Sequence, residues 1–459
     1  MMKRLATAAT LAAGILGQTV VALDVKADDK ASLKAAASTA AYGLMKYYTG
    51  NNTGDVPGNL PDPYYWWHAG AMFGTLVDYW QYTGDSTYND ETIQAIVHQA
   101  ADTEDFMPKN QTRTEGNDDQ GFWAMTAMSA AENKFPNPPS DKVQYLALAQ
   151  AVFNQYTQRW DVDDCDGGLR WQIFQFNNGY SYKNSISNGC FFNVAARLAR
   201  YTGNTTYSDW ADKIFKWEQK VGLITDKFDV LDGVSITADK TCQNIDKAQW
   251  TYNAGVHLHG AANMYNMTGD DAWKQRVEGI LKEIMARMVK NNVAYEEFCE
   301  ARKGCNVDQQ SFKGYLVRWL AQTAQLVPST QQTIAPVLRS TAQAAGGACS
   351  GSPAQGFKGM AGTACGFSWI GSGFDGIVGV TPQMSAVAAL IAPLAETAQG
   401  PVTAKTGGTS KGNPQAGSGK QKDPRELKPI TTGDKVAAGF ITMLLLVGVV
   451  GSTAFMVKS

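Results

Sequence analysis

The stretch GAMFGTLVDYWQYTGD, residues 70–85, contains the two features from which the fold can be predicted. Its first thirteen residues are apolar and aromatic around most of a helical turn, which is the pattern of a helix buried on every side. The stretch then ends in Thr83, Gly84 and Asp85. Glycine supplies the left-handed conformation that commonly ends a helix, and the Asp that follows can cap the next helix. These residues therefore predict a buried helix, a tight turn and an antiparallel neighbour.

The same Thr-Gly ending recurs as YYTGN at 47, RYTGN at 200 and NMTGD at 266. Helical periodicity dominates the chain between about residues 30 and 398, and no linker-like stretch divides it. We expect about a dozen helices, or six hairpins, at spacings too irregular for a solenoid. Strand-like alternation is limited to short pieces such as LRWQIFQF at 169–176. The predicted fold is all-α, an (α/α)6 barrel of helical hairpins, in one domain over residues 23–398.

The two ends of the chain predict export and membrane attachment. Lys3 and Arg4 precede an apolar run and a small-residue cleavage site, so residues 1–22 are expected to be a signal peptide; a transmembrane helix is the alternative. Residues 399–435 are rich in Gly, Ser, Thr and Pro, which predicts a disordered tether containing the GPI-attachment region. The apolar residues 436–459 complete the pattern of a C-terminal GPI signal, with a retained membrane-spanning helix as the alternative.

Cysteine and Asn-x-Ser/Thr patterns agree with an exported protein. Seven Cys predict about three disulfides and one free thiol, with Cys299–Cys305 and Cys349–Cys365 as the expected local pairs. N-glycosylation is expected at four sequons, Asn51, Asn110, Asn204 and Asn266. The formal net charge is −2 and there is no basic stripe, so nucleic acid is not an expected partner.

Several common kinds of active site do not fit the sequence. His257 and His259 are two residues apart and no His-Glu-x-x-His occurs, so a zinc hydrolase lacks its ligands. A nucleophile-elbow match at 408–412 falls in the Gly-rich tether, without a strand or helix around it. The acidic run DVDDCDGG at 161–168 lacks the EF-hand Gly and Glu, although a non-standard calcium loop stays open. We expect no cofactor and no metal site.

The remaining pattern suits carbohydrate, because aromatic rings can stack on sugar rings while amides bind hydroxyl groups. Aromatic and amide residues occur together near predicted helix starts, Trp66 among them. In EGNDDQGFW, residues 115–123, two adjacent acids stand at the entrance of a helix. Glycoside cleavage needs two carboxyl groups, one acting as acid and one as nucleophile or base. Helix capping is the alternative, although capping would need only one acid.

Several motifs in this chain resemble glycoside hydrolase family 76, the endo-α-1,6-mannanases, and in particular its GPI-anchored fungal cell-wall members. The matching motifs are NDDQGFWAMTAMSAAE, GGLRWQI with YKNSISNGCFF, TYNAGVHLHGAANMYNMTGD, FKGYLVRWLAQ, and CGFSW with GVTPQMSA. They run in order over about residues 30–390. The resemblance implies a retaining mechanism with Asp118 as nucleophile and Asp119 as general acid/base. It also implies that the following residues bind substrate: Trp123, Trp171, Lys183, Asn184, Asn188, Tyr252, Asn253 and Asp375.

The same resemblance implies the substrate, the acceptor and the location. The expected substrate is α-1,6-mannan or the mannose core of GPI anchors, and a β-glucan of the cell wall is the expected acceptor in a transfer reaction. We expect a monomer held by a GPI anchor at the extracellular face of the plasma membrane or in the cell wall. A non-catalytic mannan-binding wall protein is the alternative, which the presence of both acids disfavours.

Overall fold

The computed structural model describes residues 23–371, 373–419 and 431–458 of the 459-residue chain. The expected signal peptide, residues 1–22, lies outside the described residues, as do residues 420–430 of the expected tether. The α-helices are α1 (Lys30–Met45), α2 (Trp66–Thr83), α3 (Asn89–Gln99), α4 (Asn117–Glu132), α5 (Tyr145–Arg159), α6 (Ser185–Thr202), α7 (Thr205–Lys220), α8 (Thr251–Thr268), α9 (Asp271–Arg287), α10 (Glu297–Glu300), α11 (Gln309–Leu326), α12 (Gln331–Ala348), α13 (Val380–Ile391) and α14 (Thr432–Lys458). The strands are β1 (Tyr182–Asn184), β2 (Gly233–Ile236), β3 (Cys242–Asp246), β4 (Val289–Lys290), β5 (Val293–Ala294), β6 (Cys349–Gly351) and β7 (Ala364–Cys365).

Six helices contact one another in a closed cycle. Helix α2 contacts α4, α4 contacts α6, α6 contacts α8, α8 contacts α11, α11 contacts α13, and α13 contacts α2. Helices α1, α3, α5, α7, α9 and α12 pack outside this ring. The ring helices are buried along most of their length, including α2 and α8, whose sequences predict that position. The prediction of a mostly helical protein is confirmed.

The two ends of the ring differ. Because an outer helix returns the chain between successive ring helices, the ring helices all begin at the same end. We call this the cleft end, and it carries the connections 46–65, 100–116, 160–184, 221–250, 288–308 and 349–379. These connections are long and contain the seven short strands of the described residues, whereas the opposite end carries turns of two to five residues and one longer loop, 133–144. The cleft end therefore has the variable loops on which a binding site can be built.

The prediction that Thr-Gly ends a helix is correct at three of the four positions. Gly84, Gly203 and Gly269 end α2, α6 and α8 in the left-handed conformation, with φ of 79°, 73° and 67°. The prediction of a helix end at 47–51 is wrong, because α1 already ends at Met45. Gly50 instead lies in the following loop, where an added Cβ would come within 2.6 Å of the Tyr48 hydroxyl.

The expected strand-like segment at 169–176 forms only an isolated bridge between Gly116 and Gln172. The antiparallel sheet β1-β2-β3 forms further along the chain, where Lys183 pairs with Val234 and Ser235 with Gln243. The alternation of apolar and polar residues at 169–176 therefore does not come from a strand in a sheet. One of its aromatic residues, Trp171, faces a cleft instead of a sheet neighbour.

Residues 399–418 are ordered, which corrects the prediction that the tether is disordered from residue 399. They belong to the same compact unit as the ring. Their glycines allow close approach to the outer surface: an added Cβ would lie 2.1 Å from the Tyr201 hydroxyl at Gly408 and 2.4 Å from the Ala151 carbonyl at Gly417. The Gly-rich composition that predicted disorder is here a requirement of packing.

Helix α14 belongs to a separate unit, residues 419–459. Its residues 435–453 form a helix long and apolar enough to cross a membrane, and none of that window is buried within the protein.

Three disulfides link the described cysteines. Cys299–Cys305 and Cys349–Cys365 confirm the two expected local pairs, and Cys165–Cys242 is the third. Cys190 is the free thiol and is buried in the ring.

Candidate active site

The start of α4 is held in place by the loop that carries Trp171. The Asn117 backbone N–H donates to the Trp171 carbonyl at 2.8 Å, and its side-chain amide donates to the Arg170 carbonyl at 2.8 Å. The Asn117 side-chain oxygen accepts from the Arg159 guanidinium at 2.8 Å. Asn117 therefore joins three segments at the helix entrance instead of capping its own helix.

The two acids that follow Asn117 have different surroundings. Asp119 Oδ2 accepts the Gly116 N–H at 2.7 Å, which is the reach-back bond of a helix cap. Among the described residues, the buried Asp118 Oδ1 has no hydrogen-bond partner. The reach-back bond thus explains one carboxylate oxygen of Asp119 and does not explain the position of Asp118 Oδ1.

Both acids line a cleft of about 460 Å³ at the cleft end of the ring. Its walls combine aromatic rings, carboxyl groups and amides, the mixture expected for a carbohydrate site. The lining residues are Tyr65, Trp66, Trp67, Gln111, Thr114, Glu115, Asp118, Asp119, Phe122, Trp171, Gln172, Tyr182, Asn184, Asp232, Tyr252, Asp308 and Phe312. Tyr252 and Phe312 stack with ring centroids 3.8 Å apart, which fixes the Tyr252 ring at the wall.

Burial raises the pKa of both acids. The pKa of Asp119 rises to about 7, mainly through burial, and the Gly116 N–H opposes the rise. Burial and the charge of Asp119 hold the pKa of Asp118 well above its usual range, whereas nearby backbone N–H groups and the Trp171 indole favour its ionised form. Because the two groups titrate together, the pair retains a proton close to neutral pH. A carboxyl pair in this state can donate a proton to a leaving group.

A third carboxylate, Asp308, is held at the cleft by a histidine. The His68 Nδ1 atom accepts the Tyr65 N–H at 3.0 Å, so its Nε2 carries the proton and faces Asp308 Oδ1 at 3.1 Å. The negative charge of Asp308 contributes to the raised pKa of Asp119. The His68–Asp308 pair is therefore placed to tune the acid.

Glu115 is a fourth acidic group at this site. Its side chain is buried, and neither carboxylate oxygen has a hydrogen-bond partner in the part of the chain that the structure describes. Burial, followed by the charge of Asp119, holds the pKa of Glu115 well above its usual range, and Arg159 opposes the rise. Glu115 is thus favoured in its neutral form, which can donate a hydrogen bond into the cleft.

Four of the expected substrate-binding residues line the cleft: Trp66, Trp171, Asn184 and Tyr252. Trp171 is 37% exposed and presents its ring to solvent. Trp66 is more buried, and its indole N–H donates to Gln99 at 2.7 Å. Asn184 also caps α6 by accepting the Ser187 N–H.

The other five lie outside the cleft lining. Trp123 is fully buried against Trp66 and Phe106, so it packs in the hydrophobic core. Asn188 is also buried and bonds the backbone of Leu169 in both directions.

Lys183 is buried inside the acidic loop. Its Nζ donates to the carbonyls of Asp161, Asp164 and Gly167 at 3.2, 2.6 and 2.5 Å. The ammonium group thus stands where the open calcium hypothesis would place a cation. Among the described residues, no group of three or more His, Cys, Asp or Glu could hold a metal ion.

Asp375 and Asn253 complete the set. The Asp375 carboxylate accepts the backbone N–H groups of Phe367, Ser368 and Ile377, so it shapes its own loop. Asn253 is buried next to Asp232; burial raises the pKa of Asp232, and the side chains of Tyr182 and Asn253 oppose that rise.

The prediction missed Asp232, Asp308 and Glu115 as cleft residues. Asp232 and Asp308 belong to the connections that precede α8 and α11, and only closure of the ring brings them near Asp118. Glu115 could have been found, since it begins the same EGNDD stretch.

The four expected glycosylation residues are all exposed. Asn204 caps α7 through its side-chain oxygen, which leaves its nitrogen available to carry a glycan. The Asn266 side-chain nitrogen donates to the Leu326 carbonyl at 2.9 Å, and a glycan on this nitrogen would leave it one N–H.

Comparison with known proteins gives one consistent family. The model of glycosyl hydrolase family 76 matches residues 32–405. Mannan endo-1,6-alpha-mannosidase DCW1 of Saccharomyces cerevisiae is 46% identical over 441 residues, 95% of this chain and 95% of that protein. Mannan endo-1,6-alpha-mannosidase DFG5 of Candida albicans is 40% identical over 96% of both chains.

Solved structures agree with this result. The crystal structure of Dfg5 from Chaetomium thermophilum in complex with glucosamine matches with a TM-score of 0.81 and 46% identity, covering 85% of this chain and 97% of that one. The GH76A alpha-1,6-mannanase from Salegentibacter sp. HEL1_6 has the same fold, with a TM-score of 0.61 at 19% identity over 79% of this chain and 98% of that one.

Proposed function

Because the chain belongs to glycosyl hydrolase family 76 and is therefore a glycoside hydrolase, we propose that it is a retaining endo-α-1,6-mannosidase. One observation supports the proposal most directly: two adjacent, half-buried acids line an aromatic cleft, and the helix-cap hydrogen bond accounts for only one of them. The 46% identity to a yeast mannan endo-1,6-alpha-mannosidase over 95% of both chains supports α-1,6-linked mannose as the substrate.

The proposed roles are Asp118 as nucleophile and Asp119 as general acid/base. Asp118 attacks the anomeric carbon as the glycosidic C–O bond breaks, and Asp119 gives its proton to the departing sugar oxygen. An ester between Asp118 and mannose remains. Asp119, now ionised, removes a proton from the incoming water or sugar hydroxyl, which attacks the anomeric carbon and releases Asp118. Two inversions at one carbon leave its configuration retained.

The electrostatics support a carboxyl pair that keeps a proton, and the division of roles between the two acids rests on the family. A pKa of about 7 keeps Asp119 protonated at acidic pH, as a general acid requires. Burial raises the pKa of Asp118 most, and the charge of Asp119 adds to that rise only while Asp119 is ionised. The backbone N–H groups at the start of α4 and the Trp171 indole then stabilise the Asp118 carboxylate.

The proposed architecture is an (α/α)6 barrel. Its support is the closed cycle of six buried helices, each backed by an outer helix. All the cleft residues then come from the end at which the inner helices begin, which is where the two acids lie.

The proposed physiological reaction is transfer of a glycan from the mannose core of a GPI anchor to β-glucan of the cell wall. The covalent intermediate is the same for hydrolysis and transfer, and only the acceptor differs. We propose that the enzyme is a monomer, anchored by GPI at the extracellular face of the plasma membrane. The support is α14, which is long and apolar enough for a membrane signal.

The test is to incubate the purified protein with an α-1,6-mannooligosaccharide, with and without a β-glucan oligosaccharide, and to identify the products by mass spectrometry. Shorter mannans show hydrolysis, and mannose–glucan hybrids show transfer. The variants Asp118→Asn and Asp119→Asn should form neither product. Asp90→Asn is the matched control, because Asp90 is an exposed acid in the first turn of α3. Binding of the oligosaccharide without any product would favour the alternative, a mannan-binding wall protein.

A further inference from the structure

Lys183 is the middle residue of strand β1 and lies between two residues that line the cleft. Successive side chains of a strand point to opposite faces. Tyr182 and Asn184 line the cleft, whereas the Lys183 side chain is fully buried among the residues behind it. The ammonium group of Lys183 is therefore held behind the part of the cleft wall that its two neighbours form.

Oxygens of the acidic loop, residues 161–168, surround this ammonium group. The Lys183 Nζ donates to the carbonyls of Asp161, Asp164 and Gly167, and it lies 3.2 Å from Asp161 Oδ2. The carbonyls can accept all the N–H groups of an ammonium, and the carboxylate supplies the opposite charge. We call these four oxygens the cage. Carbonyl and carboxylate oxygens are also the ligands of hard cations, so the acidic loop folds around a cation that is covalently part of the chain.

The acidic loop leads directly into the residues that hold the acid pair. The Trp171 N–H donates to the Tyr182 carbonyl at 2.7 Å, so Trp171 and β1 are joined at the cleft wall. The carbonyls of Arg170 and Trp171 accept the side-chain and backbone N–H groups of Asn117, the residue before the two acids. A movement of the acidic loop would therefore reach both Trp171 and the start of α4.

Other attachments keep the acidic loop on the domain. Cys165 is joined by a disulfide to Cys242 of β3, and its carbonyl accepts the Trp217 indole N–H at 3.0 Å. The Leu169 backbone, next to the loop, bonds Asn188 in both directions. Because these contacts do not involve the ammonium group, we expect loss of that group to shift the loop without detaching it.

We propose that Lys183 is a positioning residue for the glycosidase reaction: it serves as the cation of the acidic loop and thereby sets the positions of Trp171 and of the start of α4. The reaction named here rests on the proposed function, whereas binding of an ammonium group by the cage does not depend on catalysis. Burial lowers the pKa of Lys183 to about 8, and the Asp161 carboxylate opposes the fall, so the group is charged at neutral pH and below.

The test is Lys183→Ala with and without n-propylammonium, which has the carbon and nitrogen atoms that the substitution removes. On an α-1,6-mannooligosaccharide we expect kcat to fall roughly 100-fold, the order of loss caused by a displacement of about 1 Å, and KM to rise several-fold because Trp171 lines the cleft. Partial unfolding would reduce the number of active molecules and leave KM unchanged. n-Propylammonium should recover at least about tenfold of the lost kcat, whereas n-propanol, which has the same shape and no charge, should not.

Two controls accompany these measurements. Lys220→Ala is the matched variant, because Lys220 bonds Asp166 of the same loop at 2.9 Å but is 63% exposed, and its kcat and KM should equal those of the wild type. Wild type with n-propylammonium reports any direct effect of the amine on the reaction. Wild-type kinetics in Lys183→Ala would overturn the positioning role. Equal recovery by n-propanol would also overturn it, since filled space and not a cation would then be what the loop needs.

Thermal unfolding tests the cage without catalysis. The Tm of Lys183→Ala should rise with the concentration of n-propylammonium and not with n-propanol, because only a ligand that binds the folded state stabilises it. The absence of such a rise would contradict the cage. Lys183→Met, which keeps most of the side-chain volume without the charge, supplies the kinetic comparison if the Ala variant does not fold, and wild-type kinetics in Lys183→Met would contradict the proposal. A rise in Tm together with a wild type inactive on the oligosaccharide would contradict the proposed function alone.

Discussion

Replacing Asp119 with Asn should remove catalysis and leave the protein at least as stable as the wild type. Asn cannot protonate the leaving oxygen, and loss of a general acid costs on the order of 10²- to 10⁴-fold in rate. That loss corresponds to about 3–5 kcal/mol of transition-state stabilisation. We therefore expect turnover of an α-1,6-mannooligosaccharide to fall by at least about 100-fold.

The effect on stability follows from the raised pKa. Unfolded, Asp119 releases its proton near its ordinary value of 3.8, whereas in the folded protein it holds the proton up to about pH 7. The wild type therefore loses stability as pH rises from about 4 to 7, by on the order of 4 kcal/mol at 1.36 kcal/mol per pH unit. Asn carries no charge and avoids this loss. Weakening the bond to the Gly116 N–H costs about 1 kcal/mol in return.

The assay is urea unfolding of wild type and Asp119→Asn at pH 5 and pH 8, alongside turnover. The variant should gain stability relative to the wild type by roughly 2–3 kcal/mol more at pH 8 than at pH 5, because the ionised carboxyl is present only at the higher pH. Asp90→Asn, in the first turn of α3, should show no such pH-dependent gain. A variant that unfolds more easily at both pH values and still turns over substrate would refute the reasoning and favour the capping interpretation.

Three further predictions concern the tuning of the acid, the aromatic wall and the core. In Asp308→Asn, loss of a charge that raises the pKa of Asp119 should move the alkaline limb of kcat/KM against pH to lower pH, by roughly one unit; an unmoved limb would exclude this role. Trp171→Ala should raise KM for the oligosaccharide roughly tenfold while the free energy of unfolding changes by less than about 1 kcal/mol, since the ring is 37% exposed; unchanged KM would remove it from the site. Glu132→Gln should lower the free energy of unfolding by about 3–5 kcal/mol, because Glu132 is buried between two arginines; a urea midpoint equal to wild type would contradict this.

Local signals predicted the helices and the acid pair. Gly84, Gly203 and Gly269 end their helices because the left-handed conformation is a property of a few neighbouring residues. The same sequence pattern failed at Gly50, where packing against Tyr48 determines the backbone. Composition also failed for residues 399–418, because whether a Gly-rich segment is disordered depends on the surface it can pack against, and that surface is formed by residues distant in the sequence.

Contacts between residues far apart in the sequence explain the features of the site that local patterns did not predict. Asp232 and Asp308 reach the cleft only because the ring closes, so no local pattern marks them. Lys183 and Asp375 carry polar groups suited to sugar binding, yet the carbonyls of the acidic loop and the backbone of a nearby turn satisfy them instead. A polar side chain predicted from sequence alone therefore needs its competing partners to be known before it can be placed in a site.

The most direct test of the two-carboxylate mechanism is the anomeric configuration of the first product. Proton NMR, recorded during the first minutes of α-1,6-mannotetraose cleavage, should show the new reducing end as the α-anomer, which then equilibrates with the β-anomer. Initial formation of the β-anomer would mean a single inversion by water and would contradict the proposed ester with Asp118.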